Sequence, residues 1–177
     1  VNRILGEERS IVSEVPGTTR DAVDAVCEFD GDRYIIVDTA GIRRKGRIDV
    51  GIEKYSVLRA LGAIERCDVA ITVVDGAEQP SAQDTRIAGY AHEAGKASVI
   101  AVNKWDAVER DDTTAREYER TLRTLLDFMA YAPVVFVSAL TGRRIGRLLE
   151  AVKASSAQHR RRVQTAMVNR VVQDAVL

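Results

Sequence analysis

Residues 97–106 read ASVIAVNKWD, an apolar run that passes directly into a polar loop. The run shows no alternation of polar and apolar side chains, which suits a strand covered on both faces, as in a parallel sheet. Two more runs share that character: DVAITVVD at 68–75 and APVVFVS at 132–138. Around them lie stretches with helical spacing of apolar residues: Glu53 to Ile64, Ser81 to Ala94, Thr114 to Leu126 and Ile145 to Ala154. Strand and helix in alternation predict an α/β sheet with helices on both faces. Ligands of such sheets bind beyond the carboxyl ends of the strands. What each strand runs into therefore carries the functional reading.

Upstream, VDAVCEF (23–29) and RYIIVD (33–38) are joined by Asp30-Gly31-Asp32. That is a hairpin signal, and a tight hairpin makes the pair antiparallel. The chain begins VNRILG, with Val1, Ile4 and Leu5 at the spacing of a buried helix face and Gly6 placed to end it. At the other end, HRRRVQTAMVNRVVQDAVL (159–177) opens a further helical pattern and reads as the start of another domain.

Composition sets the class. The 177 residues are 46% hydrophobic and 29% charged, ordinary for a soluble globular protein. No apolar run approaches the ~20 residues of a membrane span, and the start does not resemble a signal peptide. Cys27 and Cys67 stand far apart in apolar contexts, the pattern of reduced thiols in a cytoplasmic protein. Basic and acidic residues balance at 26 each, yet the segment from Thr141 onward carries +6. A basic end of this kind fits either a nucleic-acid surface or a solvated helix face.

Three predicted strands end in polar loops at one edge: RYIIVD in DTAGI, ASVIAVN in NKWD, and APVVFVS in SAL. The carboxylate of Asp106 can accept two parallel hydrogen bonds, as from the N1–H and 2-amino group of guanine. Adenine offers neither donor, and a site built for particular donors rejects analogues lacking them by about 10⁴-fold. Asn103 would tie the loop to its neighbours or to base N7, and the Lys104 stem would cover the base face. Taken alone, Asn-Lys-x-Asp also fits a surface turn of mixed charge; its place at a strand end favours the base. Ser138, Ala139 and Leu140 are compatible with close backbone approach, the Ala139 N–H meeting a 6-oxo group, or with a Ser-capped turn. Asp38-Thr39-Ala40-Gly41 can hold a Mg²⁺-bound water and let a main-chain N–H approach a phosphate. EVPGTTRD (14–21) offers Thr18 and Thr19 hydroxyls, hard oxygen ligands for Mg²⁺ or caps of a loop.

PGTTRD, DTAGI, NKWD and SAL, in that order, are similar to four signature motifs of translation-factor-related small GTPases, over the chain up to about Arg162. More narrowly, DTAGIRRKGRIDVGIEKYSVLRALGAIERCDVAITVVDGAE with NKWD and SALTG resembles the second GTPase domain of the Der family. These are bacterial double-GTPases that act in assembly of the large ribosomal subunit. The resemblance implies a three-layer P-loop NTPase-type (small GTPase) fold, with a mostly parallel sheet and one antiparallel hairpin strand. It implies a GTPase domain over 1–162 and the first helix of a KH-like domain over 163–177. Bound ligands would be GTP or GDP and Mg²⁺. In that reading Thr19 ligates Mg²⁺, Asp38 holds a Mg²⁺-bound water and Gly41 contacts the γ-phosphate, these three forming the catalytic set. Thr39, Ala40 and Ile42 complete the phosphate side. Asn103, Lys104, Trp105 and Asp106, with Ser138, Ala139 and Leu140, bind guanine. Thr18, in the loop with Ser13 and Val15, would contribute to a K⁺ site. The implied partners are the large ribosomal subunit, its ribosomal RNA, and the first GTPase and KH-like domains of the same protein, with no membrane.

Two departures accompany the resemblance. Ile42 follows Gly41 where Ras-like enzymes carry a water-orienting glutamine, so hydrolysis is expected to be slow and to need help from elsewhere. The Gly-x-x-x-x-Gly-Lys-Ser/Thr motif is absent, and VNRILG reads as the helix that follows it, with the first strand and phosphate loop expected before Val1. Arg43, Arg44, Lys45 and Arg47 make a basic run after DTAGI, suited to a solvated loop or to RNA. A docking module without catalysis, and the GTPase domain of a tRNA-modifying MnmE-like protein, are the other readings these motifs admit.

Overall fold

The computed structural model describes residues 2–6, 24–37, 60–109 and 113–176. In chain order these hold α1 (Asn2–Leu5), β1 (Asp24–Phe29), β2 (Asp32–Val37) and a helical run over 60–66, α2. β3 (Val69–Asp75), α3 (Ala82–Glu93), β4 (Ala97–Asn103) and α4 (Thr114–Leu125) follow. A 3₁₀ turn (Asp127–Met129), β5 (Val134–Phe136), α5 (Ile145–His159) and α6 (Thr165–Val176) complete the series.

β1 and β2 pair antiparallel, from Asp24 opposite Val37 to Phe29 opposite Asp32. Their turn has Asp30 at φ 51° and Gly31 at φ 77°, the left-handed pair that a two-residue hairpin loop requires. β3, β4 and β5 form a parallel sheet in that order. The strand directions are those the sequence leads one to expect; among the described residues the ladders form two sheets.

Period-two alternation along β4 feeds two cores. Val99 and Ala101 face one side, packing with Ile4, Cys27, Phe29, Val137 and the Ile145, Leu148, Leu149, Val152 stripe of α5. Ile100 and Val102 face the other, with Val74, Ala88 of α3, and Tyr118 and Leu122 of α4. Sheet between helices is the three-layer arrangement. Among the described residues, β4 is the run buried along nearly its whole length, and it pairs with a strand on each side; Val73 of β3 is 54% exposed.

β5 is shorter than its apolar run, since Pro133 has no N–H to extend the ladder. The Pro133 carbonyl still accepts from Ile100 N–H at 2.9 Å. α5 continues past Ala154 to His159, because Ser155 to His159 lack a helix breaker although their apolar spacing has ended. α3 is preceded by Ser81 as its cap, whose N–H and Oγ–H both donate to the Asp84 carboxylate at 2.9 and 2.7 Å. α6 has no buried residue and carries Met167, Val168, Val171 and Val172 on its surface. Cys27 is buried in the first core, and half-buried Cys67 donates its S–H to the Ile64 carbonyl. Among the described residues no helix is long and apolar enough to cross a membrane.

Candidate functional site

Register brings the carboxyl ends together. Asp75 and Asn103 are the last paired residues of β3 and β4. Val137 N–H donates to Val102 O at 2.8 Å, and Trp105 N–H donates to Val137 O at 3.1 Å. The loops after β4 and β5 are therefore joined through main chain before any side chain is considered.

Asn103 adds the side-chain link: its Oδ1 accepts from Ala139 N–H at 2.9 Å, across 36 positions of sequence. Ser138, 1% exposed, organises the second loop. Its N–H donates to Arg143 O, its carbonyl accepts from Gly142 N–H, and its Oγ accepts from Thr141 N–H. Gly142 sits at φ 80°, a conformation that glycine adopts without strain.

Lys104 holds φ 60°, uncommon for a residue with a Cβ. That left-handed residue reverses the chain, so that Trp105 turns inward and Asp106 outward. Lys104 Nζ lies 2.7 Å from Asp75 Oδ2. The Lys104 side chain is 60% exposed and Asp75 only 7%, so solvent screens the pair from one side. Trp105 is buried, with its ring 4.4 Å from Phe136 and edge-on to Tyr118 at 5.5 Å between centroids. Its ring thus anchors the turn in the core. Asp106 is exposed. Beneath it, Trp105, Phe136, Val137, Ser138, Arg143 and Arg144 enclose only about 10 Å³, so the base of the loop is packed.

Three contributors escape a reading by motif. Asp75 partners Lys104, and its carboxylate also accepts from Ala77 N–H at 3.1 Å. The signal was present, since DVAITVVD too ends in an acid at the same edge. Tyr118 from α4 donates to the carbonyls of Asp75 and Glu78, at 3.0 and 3.1 Å. Gly76 N–H donates to Asn103 O at 2.7 Å. The last two have no local signature, because each depends on the packing of distant elements.

The arrangement offers an exposed carboxylate, a lysine stem and a loop of small residues held at fixed separation. That suits a flat polar ligand with donors along one edge. Leu140 is 76% exposed beside it. Thr18, Thr19, Asp38, Thr39, Ala40, Gly41 and Ile42, together with Ser13 and Val15, lie outside the described residues.

Residues 1–104 match the family described as 50S ribosome-binding GTPase. The chain is 55% identical over 177 residues to a GTPase Der of Pelotomaculum thermopropionicum, covering 100% of this chain and 40% of that protein. It is 54% identical to a GTPase Der of Caldanaerobacter subterraneus subsp. tengcongensis, with the same coverage. The chain thus spans about 40% of the length of the curated relatives it matches. A crystal structure of Era in complex with MgGDPNP and part of 16S ribosomal RNA is similar at a TM-score of 0.64 and 25% identity, over 85% of this chain and 49% of that one.

Proposed function

The chain belongs to the 50S ribosome-binding GTPase family, and from that premise we propose that it binds guanine nucleotide at the loops after β4 and β5 and hydrolyses GTP. Asp106 receives the N1–H and 2-amino group of the base. The Lys104 stem lies along its face, and the backbone of Ser138, Ala139 and Leu140 borders its 6-oxo edge. Trp105 contributes by holding the turn. The single observation that carries this reading is the Asn103–Ala139 hydrogen bond. It fixes the carboxylate-bearing loop against the small-residue loop.

On the phosphate side we assign Thr19 and Asp38 to Mg²⁺ and its water, and Gly41 to the γ-phosphate, with Thr39, Ala40 and Ile42 beside them. Mg²⁺, when bound, supplies charge that neutralises the phosphate oxygens. Thr18 is assigned to a K⁺ site. Ile42 cannot orient water through a hydrogen bond, so we assign the domain slow hydrolysis that is raised by another component.

We further infer that the domain serves assembly of the large ribosomal subunit in the bacterial cytoplasm, cycling between GTP and GDP forms. The family's description as 50S ribosome-binding GTPase supports the link to the large subunit, and the 16S ribosomal RNA bound to Era supports contact with ribosomal RNA in general. Residues 1–162 are then the GTPase domain, and α6, with its uncovered apolar residues, is the first helix of a KH-like domain. Its partners are that domain, the first GTPase domain of the same protein, and ribosomal RNA.

The test is Asp106→Asn. Titration calorimetry should show GTP affinity reduced at least about tenfold, with preference over xanthosine triphosphate relaxed, because the amide presents a donor where guanine also donates. Equal GTP affinity in the two proteins would remove the guanine assignment. Failure of the parent chain to bind GTP or GDP at all would favour a docking module.

A further inference from the structure

We propose that Arg3 is a positioning residue for the base-reading loop, reaching from α1 to hold the Ala139 and Leu140 carbonyls and so fix the backbone that would border the 6-oxo edge of guanine. The proposal rests on the guanine reading of the site and adds a residue that no motif marks.

The loop at 139–141 projects from the sheet edge, and all three residues are exposed. Its internal hydrogen bonds converge on Ser138, which binds the N–H groups of Thr141 and Gly142. The carbonyls of Ala139 and Leu140 are both taken by one guanidinium. Arg3 Nε donates to Ala139 O at 2.9 Å, and Arg3 Nη2 donates to Leu140 O. Nε–H and one Nη–H leave the same edge of a rigid planar group, so a single arginine can bridge two neighbouring carbonyls; a lysine ammonium lacks that fork.

Both ends of the bridge are fixed. Arg3 precedes Ile4, which is buried in the first core beside Cys27 and Leu148. At the other end, a Cβ on Gly142 would lie 3.6 Å from Arg3 Cδ and Nε, so the arginine stem passes over the face of that glycine where a side chain would stand. Ala139 is thereby held from two directions, with its N–H on Asn103 Oδ1 and its carbonyl on Arg3. Asn103 alone sets a distance; Arg3 adds the orientation of the peptide that follows.

The experiment compares the parent chain with Arg3→Ala and Arg3→Lys, using GDP and 6-thio-GDP as probes. The sulfur analogue keeps the N1–H and 2-amino group for Asp106 and weakens only the acceptor facing the 138–140 backbone. If Arg3 positions this backbone, both variants lose GDP affinity by about fivefold to tenfold, the scale of one hydrogen bond. Their affinity for 6-thio-GDP changes far less, so the ratio between the probes narrows. An equal loss for both probes would show a structural role only and overturn the proposal, as would no loss.

A second measurement needs no nucleotide. Amide hydrogen exchange at Ala139 and Thr141 should be faster by about tenfold or more in Arg3→Ala, while Leu148 and Leu149 in α5 keep their protection and report an intact fold. Unchanged exchange at Ala139 and Thr141 overturns the proposal. A parent chain that binds neither nucleotide counts against the guanine reading and leaves this exchange result to decide on Arg3.

Discussion

At position 76 the chain has room for a hydrogen atom and little else. Gly76 N–H donates to Asn103 O at 2.7 Å, and a Cβ there would stand 2.8 Å from that oxygen and 3.0 Å from Trp105 Cε3. The first neighbour is backbone and the second a packed indole, so neither can yield cheaply. Gly76→Ala is expected to cost about 1–3 kcal/mol, the scale of overpacking. It should also weaken GDP binding, because the atoms displaced carry Asn103 and the turn before Asp106. Urea unfolding and GDP titration check the two effects; an unchanged unfolding midpoint would mean the strand ends separate more easily than their packing implies. The same locality shows what a motif can and cannot reveal. Asn103, Lys104, Trp105 and Asp106 are contiguous, and the sequence places all four at one site. The left-handed turn at Lys104 (φ 60°) separates them, sending Trp105 inward. A one-dimensional pattern carries the chemical types, but which side chain faces out depends on a backbone angle.

Among the elements, α5 shows which forces hold a helix to the sheet. Ile145, Leu148, Leu149 and Val152 recur at i, i+3, i+4 and i+7 and form its buried face. Lys153, one position on, reaches the hairpin turn instead, with Nζ 3.0 Å from Asp30 and 2.7 Å from Asp32. These hydrogen bonds raise the Lys153 pKa, yet the group is solvent-exposed, where ion pairs are screened. Burial therefore dominates. Leu149→Ala should destabilise by about 2–5 kcal/mol. Lys153→Met should leave the unfolding midpoint within error while hydrogen exchange at the hairpin turn accelerates. A large shift in midpoint from Lys153→Met, or none from Leu149→Ala, would reverse that ranking. The elements were largely legible because each obeys a local rule: the β1–β2 turn through Asp30-Gly31, α4 through Tyr118 and Leu122, β4 through its unbroken apolar run. Misreadings came at ends and faces. The sequence stops α5 where its apolar period stops, although the backbone can continue to His159. It treats β3 like β4, although Val73 of β3 is exposed and β4 is buried along nearly its whole length.

At the scale of the whole molecule, the sheet divides the interior into two cores, and the site lies along the edge where both end. Contacts such as Arg3 with Ala139, 136 positions apart, come from that assembly, which is why no segment announces them. Four titratable groups couple folding to pH. Burial pushes the Cys27 thiol above its ordinary 9.0, and burial first, then the Asp32 charge, pushes Tyr34 above 10.0. Cys67 is raised too, again chiefly by burial. Lys153 is raised above 10.5 by hydrogen bonds to Asp32 and Asp30. In all four cases the folded chain keeps a proton that the unfolded chain releases, so the unfolded state binds fewer protons and stability falls as pH rises. The contribution is complete below the unfolded values and is lost above them, first for the thiols. Stability should therefore decline from about pH 9 upward on account of these groups. Cys27→Ala combined with Cys67→Ala removes the earliest part. The double variant should run parallel to the parent at neutral pH, with any offset constant, and begin its decline nearer the tyrosine and lysine range. Urea midpoints measured from pH 7 to 11 check this. A parent decline with the same onset in the double variant would mean that the thiols do not set the alkaline limit, and that Tyr34 and Lys153, beside the hairpin, do.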